Sequence, residues 1–160
     1  TSRTIADFTP ERLEQVMEVP IAPLGRGHGH FEQITPHWSY RLSLTHSHRI
    51  SLSNFDITFW PTRGIDSPPM TDICQVDYDQ FTAELETMGF TRKPYYDPIA
   101  QMDGARASQE AAALGVPLDP GPPPLMYDEF IRPGMRIEVA PRGESNEKVS
   151  HDCIRSVTIY

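Results

Sequence analysis

The sequence predicts an α+β domain: a mainly antiparallel sheet with two or three helices on one face and long Pro-rich loops between the elements. Three observations carry this. Two segments open with helix-start signals, residues 41–60 alternate apolar and polar side chains as strands do, and the last third sets the turn signal Pro133-Gly134 between two strand-like runs. At 160 residues the chain fits one domain, 1–160, and it shows no internal sequence repeat. Leu, Ile, Val and Phe together make only 35 of 160 residues, so the core is modest. The 16 prolines, about twice ordinary usage, predict stiff irregular connections around a small framework.

The first helix starts at Thr9-Pro10-Glu11. Thr9 caps, Pro10 takes the first helical position where no N–H is needed, and Phe8 can staple onto Leu13. Leu13, Val16 and Met17 form its apolar stripe, and Pro20 ends it. Residues 20–37 hold several prolines and glycines and read as loop, with a short strand over Phe31 to Ile34. From Arg41, the residues Leu42, Leu44, His46, His48, Ile50 and Leu52 share one face, and Arg41, Ser43, Thr45, Ser47, Arg49 and Ser51 the other. The parity flips after Ser53-Asn54, so a hairpin turn there sets Leu52 opposite Phe55 and Ile50 opposite Ile57. A second arrangement has the turn at Thr45 to His48 and one strand from Arg49 to Trp60.

The next helix is the best marked. Asp77 caps it, Phe81, Leu85 and Met88 form a stripe, and Gly89 stops it with Phe90 folding back on Leu85. A further helix is predicted over Gly104 to Leu114, and Pro117 to Pro124, with five prolines in eight residues, is extended connection. Met126 to Arg132 and Met135 to Val139 make a hairpin about Pro133-Gly134. After a polar loop, Cys153 to Tyr160 supplies the last strand.

The net charge of -8 argues against nucleic acid and anionic membrane surfaces, which need basic patches, and favours a basic or neutral protein partner. No apolar run is long enough to span a bilayer. Thr1 in place of Met fits either a removed signal peptide or a trimmed start. Cys74 and Cys153 are the only cysteines. In an oxidising compartment they would close a loop worth about 4.5 kcal/mol by chain entropy, and in a reducing one they would be two buried thiols.

Five of the six histidines fall between His28 and His48, two pairs in His-x-His spacing. Imidazole is the commonest metal ligand and titrates near neutrality. His46 and His48 project from one strand as metal ligands do, with His30 first among the third ligands, which also include His28, His37, Glu32 and Asp56. None stands at a diagnostic spacing, and no nucleophile motif, phosphate loop or calcium loop accompanies them. No cofactor is therefore expected. Trp60, Tyr95, Tyr96 and Tyr127 sit at strand ends or in Pro-rich loops, where stiff aromatic contact surfaces form, and are the expected partner-binding residues.

Thr9 to Val16, Asp77 to Phe90 and the closing Cys153 to Tyr160 resemble small exported bacterial proteins of the inhibitor or immunity type. The resemblance implies a periplasmic or secreted protein that neutralises a partner, a toxin or cell-wall hydrolase, by occupying its cleft. The alternative is a small histidine- or metal-dependent hydrolase using the His28–His48 cluster. A binding protein fits the sequence better than an enzyme, because no catalytic signature is complete.

Overall fold

The computed structural model describes residues 4–47, 52–64, 68–116, 118–142 and 152–160, and the side chains of 46, 47 and 52 are outside that description. One sheet of eight antiparallel strands organises the chain. A single 3-10 turn, Ile5–Asp7, precedes α1 (Pro10–Met17), β1 (Ala22–Leu24), β2 (Gly27–Gln33), β3 (Trp38–Ser47) and β4 (Leu52–Pro61). Then follow α2 (Tyr78–Thr87), β5 (Thr91–Tyr96), α3 (Pro98–Ala113), β6 (Leu125–Arg132), β7 (Met135–Arg142) and β8 (Cys153–Ile159). In the sheet the order is β1-β2-β3-β4-β8-β7-β6-β5. The chain thus makes two successive units, each a helix followed by a four-stranded meander, and the fourth strands of the two units pair at the centre. The sequence carries no matching repeat.

Local chemistry explains most boundaries. The Thr9 hydroxyl accepts from Arg12 N at 3.3 Å and Asp77 Oδ1 from Gln80 N at 2.8 Å, so both predicted caps form. Gly89, at φ +85°, ends α2 in the left-handed region, and Phe90 N returns to Leu85 O at 3.2 Å. Gly134, at φ +82°, closes the β6–β7 hairpin at the predicted place.

Four local expectations are corrected. Residues 20–37 are not mostly loop: they hold β1 and β2, joined by Gly25-Arg26, with positive φ at Gly25 as a tight hairpin with glycine in its first central position requires. Ser53-Asn54 is not the β3–β4 turn but lies within β4, because Ser47 pairs with Leu52 and Leu44 with Phe55; residues 48–51, between the two strands, lie outside the described residues. β5 was not predicted, since Pro94 speaks against a strand interior, and it is tolerated because β5 is an edge. α3 begins six residues before Gly104, where Asp97 caps through Ile99 N at 2.9 Å and Pro98 opens the helix.

α1 and α2 cover one face of the sheet. Leu13 packs with Ile21, Leu42, Leu44 and Phe55, while Tyr78 and Leu85 pack with Phe90, Phe130, Ile137 and Val139. Phe8, stacked on Phe55 at 5.3 Å, and Ile159 touch both clusters and join them. Burial is narrower than the predicted stripes: Val16, Met17 and Met88 are exposed, and Thr82 lies inside. A third cluster, Trp38, Met70 and Cys153, seats the strap 68–76, where Trp38 Nε1 donates to Pro69 O at 2.9 Å.

Among the described residues one charged side chain is fully buried. Asp128 Oδ2 accepts from the Tyr78 hydroxyl at 2.7 Å and from Arg92 Nε at 2.8 Å, tying α2 and β5 to β6. Burial first, and the Asp128 carboxylate second, push the Tyr78 phenol above its ordinary value near 10. The folded chain therefore keeps this proton where the unfolded chain releases it, so the contribution is constant below about pH 10 and falls as pH rises further. The melting temperature should drop more steeply above about pH 10 in the wild type than in Tyr78→Phe. Parallel curves would contradict the buried hydrogen bond.

Cys74 and Cys153 form a disulfide with Cα atoms 5.5 Å apart, which fastens the strap before α2 to the first residue of β8. Titration in denaturant should find no reactive thiol, and opening the bridge with Cys74→Ser/Cys153→Ser should lower stability by up to about 4.5 kcal/mol. Two titratable thiols in the isolated protein would refute the pairing.

Candidate functional site

The helices bury only one face. On the other, cross-strand pairing aligns a single rung, Ser43–Asp56–Thr158–Glu138–Glu129–Lys93, across six strands from β3 to β5. Strand alternation puts these residues opposite to Leu42, Leu44, Phe55, Ile137 and Val139, and among the described residues no core cluster forms on their side. Six charged side chains there balance one another. Asp56 accepts from the Ser43 hydroxyl and from Thr58 Oγ1 at 3.2 Å, and lies 3.7 Å from Arg41. Arg136 bridges Glu129 at 3.4 Å and Glu138 at 3.6 Å, and Lys93 donates to the Tyr95 hydroxyl at 3.0 Å.

Aromatic pairs flank this polar centre. At the β2–β4 side Phe31 stacks on Trp60 with centroids 5.6 Å apart, and Arg41 lies over the Trp60 ring at 5.8 Å. At the β5–β6 side Tyr95 and Tyr127 stack at 4.8 Å. Near the middle, Tyr160 carries Arg136 over its ring at 4.1 Å and donates to Glu138 at 3.1 Å. Burial, then Glu138, raises the Tyr160 and Tyr127 phenols above their ordinary values.

Three of the four predicted aromatic contacts, Trp60, Tyr95 and Tyr127, therefore share the open face. Tyr96 stands beyond a register shift and is 46% exposed at the end of β5. Sequence reasoning missed Phe31, Arg41, Arg136 and Tyr160. The sequence places Phe31 in a short strand without a partner, and all four gather only once the strands pair.

The histidines do not gather in the same way. His28 and His30, predicted in a loop, sit on β2 opposite Leu44 and Leu42, on the core side, whereas Asp56 lies on the other face and cannot join them. The His30 ring places Nδ1 3.0 Å from Pro20 O and Nε2 3.4 Å from Glu32, which also accepts from Tyr40 at 3.3 Å. His37 is exposed at the start of β3, and its backbone carbonyl receives Thr62 N at 2.8 Å. The His46 side chain and the whole of His48 lie outside the described residues. Among those described, no three His, Cys, Asp or Glu side chains are grouped to hold a metal.

Charge is segregated. Segments 4–18 and 77–90, which carry the helical layer, hold eight Asp and Glu residues against Arg12 alone, nearly the whole net charge of -8. The aromatic face and the acidic layer are thus opposite sides of one molecule. Among the described residues no helix is long and apolar enough to cross a membrane.

The two tryptophans report on the two sides of the sheet, because Trp38 is 1% exposed and Trp60 is half-buried at the rim of the open face. Trp60→Phe should leave a blue-shifted emission that acrylamide quenches poorly. A red-shifted, readily quenched Trp38 would mean that the strap does not cover it. Comparison of the chain with protein-family models, with curated proteins and with solved structures found no match.

Proposed function

We propose that the protein is an exported binding protein that docks a partner protein on the open face of its sheet and neutralises it, as an immunity protein or inhibitor does. The observation that carries this is the polar rung flanked by Phe31–Trp60 and Tyr95–Tyr127. Paired aromatics around hydrogen-bonding side chains are the composition of protein interfaces. Seven strands, β2 to β8, about 4.8 Å apart and with about six residues of each, present roughly 700 Å², close to one side of a standard interface. The disulfide supports an oxidising compartment.

The contact face is charge-balanced, whereas the molecule as a whole carries -8. Long-range attraction to a basic partner then governs association, and the aromatics hold the complex once formed. A photo-crosslinking residue, Phe31→p-benzoylphenylalanine or Thr158→p-benzoylphenylalanine, introduced in the cells that make the protein, should capture one partner protein, and Gln80→p-benzoylphenylalanine on the helical layer should not. With that partner purified, Trp60→Ala and Tyr127→Ala should speed dissociation, at a cost of about 2 kcal/mol or more at a true anchor, while added salt slows association. Equal capture from all three positions, or none from the open face, would remove the basis for docking there.

A further inference from the structure

The two units differ most at one place. Between β1 and β2 the first unit turns in two residues, Gly25-Arg26, whereas between β5 and β6 the second makes an excursion over 97–124, consisting of α3 and a proline-rich return. This arm is held together by itself. Asp97 N donates to Pro124 O at 2.9 Å across its foot, Pro120 seats against Gly104 where no Cβ intervenes, and Ser108 donates to Leu118 O at 3.3 Å. At the tip Val116 N returns to Ala111 O at 2.9 Å, with Gly115 in the left-handed region.

No residue of α3 is buried, so the arm adds nothing to the described core. It nevertheless displays Ile99, Met102, Leu114, Val116 and Leu118, with Leu114 81% exposed. A long ordered insertion that stabilises no core and presents apolar side chains to water is a feature of binding elements.

We infer that this arm enters an apolar cleft of the protein partner that docks on the open face, with Met102 and the tip residues Leu114 and Val116 as its contacts. This rests on the docking function proposed above. Continuity identifies the occupant: β5 enters the arm just after Tyr95, β6 leaves it just before Tyr127, and their stacked rings on the open face stand at its foot. A body covering that stack abuts the arm. Shape agrees, since a helix of 16 residues reaches about 24 Å, enough to fill a cleft and not merely touch a patch. The arm's charges, Asp97, Asp103, Glu110 and Asp119 against Arg106, whose guanidinium is paired to Glu110 at 2.8 Å, suit a basic rim and oppose an anionic bilayer. The proline return keeps the arm rigid, so little entropy is lost on insertion.

The test places the same photo-crosslinker in the full chain as Met102→p-benzoylphenylalanine and Leu114→p-benzoylphenylalanine. Both should capture the protein that Thr158→p-benzoylphenylalanine captures. Replacing 98–123 by Asn-Gly, a two-residue turn like that of the first unit, should leave the disulfide and the fold intact but weaken binding of the purified partner by about 100-fold or more. If that variant does not fold, Leu114→Asp/Val116→Asp, which alters only exposed side chains, decides by the same measurement. Capture from Thr158 but not from the arm, together with unweakened binding by the variants, would overturn the inference and leave the open face standing. Capture of a second copy of this chain by the arm, or its flotation with anionic phosphatidylglycerol vesicles, would also overturn it. No capture from either place would sink the docking function itself.

Discussion

The pairing of β4 with β8 is the constraint on which the rest of the structure depends. Four residue pairs, Phe55–Ile159 to Thr58–Ser156, turn two separate meanders into one sheet. On the covered side the same seam brings Ile159 against both core clusters, so the modest apolar content serves one continuous interior. On the other side it aligns Asp56 with Thr158 and Glu138, and without it the polar rung would be two unrelated halves. The disulfide reinforces the seam at its approach, because Cys153 is the first residue of β8.

The buried Asp128 shows how the second unit holds its helix. A carboxylate removed from water is tolerated only when charged or polar groups replace its hydration, and Arg92 and Tyr78 do so from two different elements. The Tyr78 hydroxyl, Arg92 Nε and Arg92 Nη2 all converge on Oδ2, while Oδ1 has no partner among the described residues. The first unit has His30, on the equivalent second strand, bonded to Pro20 O where the chain passes from α1 into β1. Each unit thus uses one polar side chain on its second strand to hold earlier parts of the chain, Pro20 ahead of β1 in the first and α2 with β5 in the second.

Much of this was legible in the sequence where the signal is local. Thr9, Asp77, Gly89 and Pro133-Gly134 act through neighbours a few residues away, and all four do what their chemistry requires. The β3–β4 hairpin is more instructive. Its turn was misplaced, yet Phe55 faces Leu44 in place of Leu52, a shift of eight residues, and an even shift leaves the described side chains on their predicted faces. Faces were therefore readable while register was not, since periodicity fixes parity and only tertiary pairing fixes partners. For the same reason Trp60 and Tyr127 could be singled out as aromatics, but their membership of one surface depends on strands that meet only in the folded sheet.

Placing the last strand at the centre of the sheet also sets the order in which the molecule can be made. Val157 pairs with Ile57, 100 residues earlier, so the contact that unites the two halves is among the longest-range in the chain. Such contacts must meet the full entropy of loop closure before they are rewarded, which slows folding. On the ribosome each meander can begin to collapse, but the edges of β4 and β7 remain unpaired until residues 153–159 emerge. The growing chain is therefore open to pairing with its neighbours along these two edges until β8 is available to cover them.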